Sequence, residues 1–171
     1  MNEYIKIEKK LGLSFKNQKL LENALNHSSL KNEDLEIQSN EDLEFIGDSV
    51  MYFIISNYIY ENNEAKISVG EMSIIRSNII SNQTFSVFAN KLNLGEYIKT
   101  GKGQKKIGIS DLMLSNCFEA LIGAIYIDSG FNEVKNFVNK NFKEEINYIF
   151  SKRPIRNEKM IDNETKQKRL I

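Results

Sequence analysis

The chain is poor in the residues that staple, kink or chelate: its 171 residues include one Cys, one Pro, one His and no Trp. A single Cys excludes an internal disulfide and argues against a Cys-based zinc site, which favours a reducing, cytoplasmic setting. No apolar run approaches the roughly 20 residues that span a bilayer, so no membrane partner is expected. The opening MNEYIKIEKK is charged throughout and lacks the apolar centre of a signal peptide. Alternating strand patterns flanked by hairpin turns are missing, and no internal repeat is found. Net charge is missing as well: 23 Lys+Arg balance 23 Asp+Glu. That balance excludes a uniformly basic nucleic-acid binder but allows a locally basic one. What remains is 41% hydrophobic and 27% charged, the composition of one globular domain large enough for one core.

The zero net charge conceals segregation. Between Glu22 and Asp48 there are eight acids and one base, Lys31. The loop from Lys99 to Lys106 has four lysines and no acid. The tail from Ser151 to Ile171 has seven bases against three acids. Charge runs are usually solvated surface, which is the plain reading of the tail.

Periodicity is helical nearly everywhere, which predicts an all-α fold. Tyr4, Ile5, Leu11 and Leu13 suggest a first helix and turn, and Leu20, Leu21, Ala24 and Leu25 a second. Asn40 is placed to cap a long helix from Glu41 to about Tyr60. Ser68 is expected to cap another that runs through Ile74, Ile79, Phe85 and Phe88 to about Leu92. Gly95 to Ile109 holds four of the nine glycines and reads as a loop. Ser110-Asp111 opens a helix to about Asp128, Gly130 breaks it, and Val134 to Ile149 forms the last. Pro154 ends the folded part, so residues 1–150 form the domain and 151–171 a basic tail or linker.

On the helix after Asn40, Glu41, Glu44 and Asp48 fall within about 60° of one another at 100° per residue. Tyr52, Ile55 and Ile59 extend the same stripe, which places these acids on a core-facing surface. Like charges held that close repel, and burial makes each costlier, so a cation is called for. Asn116 and Glu119 lie one turn apart on a second helix, where Ala120, Gly123 and Ala124 permit close packing. Five oxygen donors with no His or Cys among them suit magnesium or manganese better than zinc. The competing reading pairs these acids with lysines and arginines across helices, and acids at a helix start also suit the macrodipole.

The segment NEDLEFIGDS, Asn40 to Ser49, resembles the NExLEFxGDS signature of the ribonuclease III family. LSNCFEALIGAIYID, Leu114 to Asp128, resembles the family's second block, and Glu71-Met72 to Arg76 its intervening helix. Asn26-His27-Ser28-Ser29 matches a THxS-like element with Asn in place of Thr. The likeness covers about residues 5–150. It implies the helical ribonuclease III endonuclease fold, with Glu44 and Glu119 as magnesium ligands and Asp48 and Glu119 as catalytic acids. It further implies that Glu41 is an additional acid of the cluster and that Phe45 packs into a partner subunit. His27 and Cys117 are expected to be structural.

Three departures stand out. Asn116 occupies the place of a metal-binding Asp; its carbonyl can ligate magnesium without adding charge. The loop from Gly101 to Asp111 is shorter than usual, with Gln104 in place of a common Glu. Bacterial members continue into a double-stranded-RNA-binding domain, and this chain stops at Ile171, in what looks like the linker.

Magnesium held by carboxylates activates water and neutralises charge on an attacked phosphate, so phosphodiester hydrolysis is the natural reaction. The resemblance implies double-stranded RNA as substrate, 5′-phosphate and 3′-hydroxyl ends with a short 3′ overhang, a role in rRNA and mRNA processing, and a homodimer. Lys99, Lys102, Lys105 and Lys106, with the tail, are candidate contacts to the RNA backbone. Two rivals stay open: a catalytically silent RNA-binding or ribosome-associated protein of the same fold, and an all-α interaction module with structural acids.

Overall fold

Serine hydroxyls start several of the helices. Ser68 accepts from the Glu71 backbone N–H at 3.3 Å while the Glu71 carboxylate accepts from the Ser68 N–H at 2.8 Å, a reciprocal capping box. Ser81 caps through the Thr84 N–H and Ser110 through the Met113 N–H. The computed structural model describes residues 3–63 and 67–152. Among them the helices are α1 (Glu3–Leu11), α2 (Gln18–Leu25), α3 (Glu41–Glu61), α4 (Val69–Ile79), α5 (Asn82–Lys91), α6 (Lys102–Ile107), α7 (Asp111–Ser129) and α8 (Phe131–Ser151). No strand forms among the described residues beyond a single bridge between Asn26 and Lys99. The fold is all-α, as expected.

Three local expectations are corrected. The helix expected from Ser68 to Leu92 is two helices, α4 and α5, separated at Ile80 and Ser81. Both halves bury their apolar residues in one core, Ile75 and Ile79 with Phe85 and Phe88, so the periodicity runs on across the break. The break itself comes from the Ser81 hydroxyl, which takes the Thr84 N–H and restarts the helix. The expected loop from Gly95 to Ile109 contains a 3₁₀ turn at Leu94–Glu96 and the short helix α6, held between Gly101 and Gly108. Asn40 precedes α3 but makes no side-chain cap. It is buried, and its backbone N–H donates to the Asn26 carbonyl at 2.8 Å, which ties the start of α3 to the end of α2.

Helix α7 is the axis of the fold and packs against α2, α3, α5 and α8. Phe118 of α7 meets Phe85, Phe88 and Phe142 with ring centroids 5.1, 5.5 and 5.4 Å apart. All four rings are fully buried. Each such side chain contributes about 2–3 kcal/mol by leaving water. By length and mean hydropathy α7 alone among the described residues would suffice to cross a membrane, but two thirds of it is buried inside this bundle, as a core helix is. Gly130 (φ 85°) turns the chain directly from α7 into α8. Helix α8 ends at Ser151, one residue past the expected boundary. Pro154 and the basic tail beyond Lys152 lie outside the described residues.

Candidate active site

Two glycines decide how closely α3 and α7 cross. A Cβ at Gly47 would overlap the Glu119 carbonyl, 2.6 Å from its carbon, and one at Gly123 would stand 2.9 Å from the Leu43 carbonyl carbon. Backbone therefore lies on backbone at this crossing. Such an approach aligns Glu44, about one turn before Gly47, and Asp48, the residue after it, with the Asn116–Glu119 turn of α7. Gly123 was legible as a small residue in the sequence. Gly47 was missed as its partner; the signal available was its position between Glu44 and Asp48.

The charges at the crossing are uncompensated. Glu119 is buried, with 8% of its surface exposed. Burial, then the neighbouring Asp48 and Glu44 carboxylates, push its pKa from the ordinary 4.5 to about 7. Glu44 is half-buried, and its pKa is raised first by desolvation and then by Glu41. The Asn116 side chain hydrogen-bonds the Glu44 carboxylate and pulls the other way. Asp48 is exposed at the rim. Among the described residues no lysine or arginine forms an ion pair with Glu44, Asp48 or Glu119.

Glu41 follows the competing reading instead. Its carboxylate is exposed, pairs with Lys31 Nζ at 2.6 Å and accepts from the Ser39 hydroxyl at 2.6 Å. These hydrogen bonds, Lys31 first, hold its pKa below the ordinary value. Ion pairing among the described residues thus accounts for one of the acids and pairs none of the other three.

The all-oxygen set of Glu44, Asp48, Asn116 and Glu119 fits a hard divalent cation, which would offset the repulsion that adds to burial in raising the Glu119 pKa. Among the described residues no three His, Cys, Asp or Glu side chains form a ready-made metal cage. Mutual repulsion of the carboxylates is a physical reason for an open arrangement.

The other named residues separate by environment. His27 Nδ1 lies 2.9 Å from the Ser29 hydroxyl, and burial lowers the His27 pKa while Glu41 raises it. Cys117 is fully buried and its thiol is pushed up to about 12, an inert core position. Phe45 points outward with 74% of its surface exposed. Tyr52 does not continue the buried stripe as expected: Ile55 and Ile59 are buried, whereas Tyr52 is exposed and carries the Arg76 guanidinium 4.1 Å above its ring. Lys102, Lys105 and Lys106 are exposed on α6. Lys99 is not: its ammonium bonds the Tyr4 hydroxyl and stands 4.7 Å from that ring's centre, and its backbone is bridged to Asn26.

Known proteins are similar to this chain in sequence and in fold. The Ribonuclease-III-like family profile matches residues 17–146. A protein named Ribonuclease 3 from Clostridium kluyveri is 37% identical over 173 residues, covering 100% of this chain and 68% of its own. A solved nuclease domain of ribonuclease III from Campylobacter jejuni superposes with a TM-score of 0.76 at 32% identity, covering 85% of this chain and 97% of that one. A second structure of that domain (TM-score 0.72, 34% identity, 81% and 97% coverage) is described as showing structural flexibility in a region involved in dimer formation. A matching profile over most of the chain, relatives of this similarity and the acid-lined crossing of α3 on α7 together place the chain in the ribonuclease III family of double-strand-specific endoribonucleases.

Proposed function

We propose that the chain cleaves double-stranded RNA at the crossing of α3 and α7, with magnesium, or manganese in its place, as cofactor. The observation that carries this reading is Glu119, raised to about 7 first by its burial and then by the Asp48 and Glu44 carboxylates, and paired with no basic residue among the described residues. Glu44 and Glu119 would hold the ion, with the Asn116 carbonyl as a neutral third donor. A bound divalent cation supplies Lewis-acid chemistry, an activated water and charge neutralisation at the attacked phosphate. Asp48, exposed at the rim, faces the incoming backbone and acts with Glu119 as the catalytic acid pair. Glu41, held by Lys31 and Ser39, shapes the edge of the cluster and raises Glu44. The products carry 5′-phosphate and 3′-hydroxyl ends with a short 3′ overhang, and cytoplasmic rRNA and mRNA precursors are the substrates.

The working unit is a homodimer. Phe45, Tyr52, Phe53 and Tyr60 are all exposed on α3, at a spacing of seven or eight residues that forms one apolar stripe beside the acids. A second copy would cover that stripe and present two sites to the two strands. Lys102, Lys105 and Lys106 of α6 contact the RNA backbone, and Lys99, bound to Tyr4, does not. The catalytically silent alternative draws on Asn116 alone.

Cleavage of a long RNA duplex with and without magnesium tests the proposal. Cleavage that needs magnesium and spares single strands is the expected result. Duplex binding with no cleavage in magnesium or manganese would overturn it in favour of the silent alternative.

A further inference from the structure

Helix α6 buries none of its side chains and is only six residues long, too short to persist on its own. Its position therefore depends on polar fastenings. The Gly101 N–H donates to the Ser29 hydroxyl at 3.0 Å, and the Lys102 N–H donates to the Glu33 carboxylate. Ser29 is itself held by His27. Gly101 is buried, and a Cβ there would stand 3.1 Å from Glu33 Oε1 and 3.2 Å from the Ser29 carbonyl carbon. Just upstream, the His27 N–H donates to the Lys99 carbonyl at 2.9 Å and the Lys99 N–H to the Leu25 carbonyl at 2.8 Å. The same strap, residues 27–39, carries Lys31 and Ser39, both bonded to Glu41 at the start of α3. It links the lysine-bearing helix to the helix that bears Glu44 and Asp48.

We propose that Ser29 and Glu33 are positioning residues for duplex binding: they clamp α6 so that Lys102, Lys105 and Lys106 meet phosphates of the duplex lying in the active site. The three lysines are exposed, and none joins an ion pair among the described residues. The proposal rests on α6 as a backbone contact. It also makes an expectation opposite to simple charge counting. Removing the Glu33 carboxylate takes a negative charge away from a polyanion's binding face, which by itself would tighten binding. Loss of the clamp weakens it.

The test measures affinity of the full chain for an RNA duplex, with chelator present to prevent cleavage, across a salt series. Glu33→Ala and Ser29→Ala are compared with the triple variant Lys102→Ala/Lys105→Ala/Lys106→Ala, and Ser29→Thr serves as the conservative rescue. The triple variant should flatten the dependence of log K on log salt by roughly 0.9 per lost phosphate contact. Glu33→Ala and Ser29→Ala should each weaken binding about fivefold, flatten the same slope, and add little in the triple background. In magnesium, KM for the duplex should rise with kcat nearly unchanged, and Ser29→Thr should restore both KM and slope. Unchanged or tighter binding by Glu33→Ala, or weakening that is additive with the triple variant, overturns the clamp. A triple variant with wild-type slope overturns it through its premise, while magnesium-dependent cleavage in that variant would leave the endonuclease reading standing.

Discussion

Glu119 holds opposed requirements in one side chain. Its raised pKa means that the folded state keeps a proton the unfolded chain has lost. Below about 4.5 both states are protonated and the group costs nothing. Between about 4.5 and about 7 the cost of folding grows with pH, and above about 7 it is fully present. Glu119→Gln should therefore stabilise the protein in chelator at pH 8, on the order of 1–2 kcal/mol after screening, and flatten stability across that window. Thermal melts from pH 4 to 8 check this. The same substitution removes charge a cation requires, so cleavage should fall by orders of magnitude. Asn116 offers the converse experiment. An Asp there adds a full charge about 4 Å from a cation, roughly 4 kcal/mol at an effective dielectric of 20. Desolvation and repulsion by Glu44 and Glu119 offset most of it, which leaves on the order of 1–2 kcal/mol, about tenfold in affinity. Asn116→Asp should reach half-maximal cleavage at lower magnesium, and Asn116→Ala at higher. Identical magnesium titrations for all three proteins would remove Asn116 from the site.

At the scale of elements, the crossing of α3 on α7 is the contact that makes the site. Its tolerance for added volume is nil, because the opposing atoms are backbone and cannot rotate away. Gly47→Ala should cost about 3 kcal/mol or more by forcing the helices apart, and Gly123→Ala a similar amount. Chemical denaturation of each variant reads the loss. A midpoint within error of wild type would show that the helices are not in backbone contact. Separation of the helices also moves Glu119 away from Glu44 and Asp48, so any folded variant should bind the cation poorly. By contrast, α6 is an element without a core of its own. That difference explains why periodicity located α3 and α7 to within a residue or two and missed α6: six residues with no buried face leave no apolar pattern to read. The break between α4 and α5 was equally silent, since both segments feed one core and only a serine hydroxyl divides them.

At the scale of the whole molecule, the exposed apolar stripe of α3 is the surface that the proposed homodimer would cover. Phe45 lies one residue from Glu44, so whatever covers the ring also closes one side of the acid cluster. Phe45→Ala should weaken the homodimer by a few kcal/mol, the scale of a buried aromatic anchor. Sedimentation at graded concentrations reads the shift, and a wild-type protein monomeric at micromolar concentration would refute the assembly. Cleavage at limiting protein should decline in step with the dimer.

The amino-acid sequence by itself determined the fold class and the bounds of α3 and α7 to within a residue or two, because 3.6-residue periodicity acts locally, and it picked out the acids proposed for the site. It also marked Asn116 as the neutral member of the set. The tertiary structure decided which acids share a neighbourhood without a counter-charge among the described residues. Glu41, on the same stripe as Glu44, is satisfied by Lys31 from a strap ten residues upstream, while Glu119, 75 positions beyond Glu44, joins it across two glycines. Lys99, one more lysine in a basic run by sequence, is drawn to Tyr4 at the other end of the chain. Charge pairing and close backbone approach are long-range facts, fixed by where helices cross rather than by what stands next along the chain.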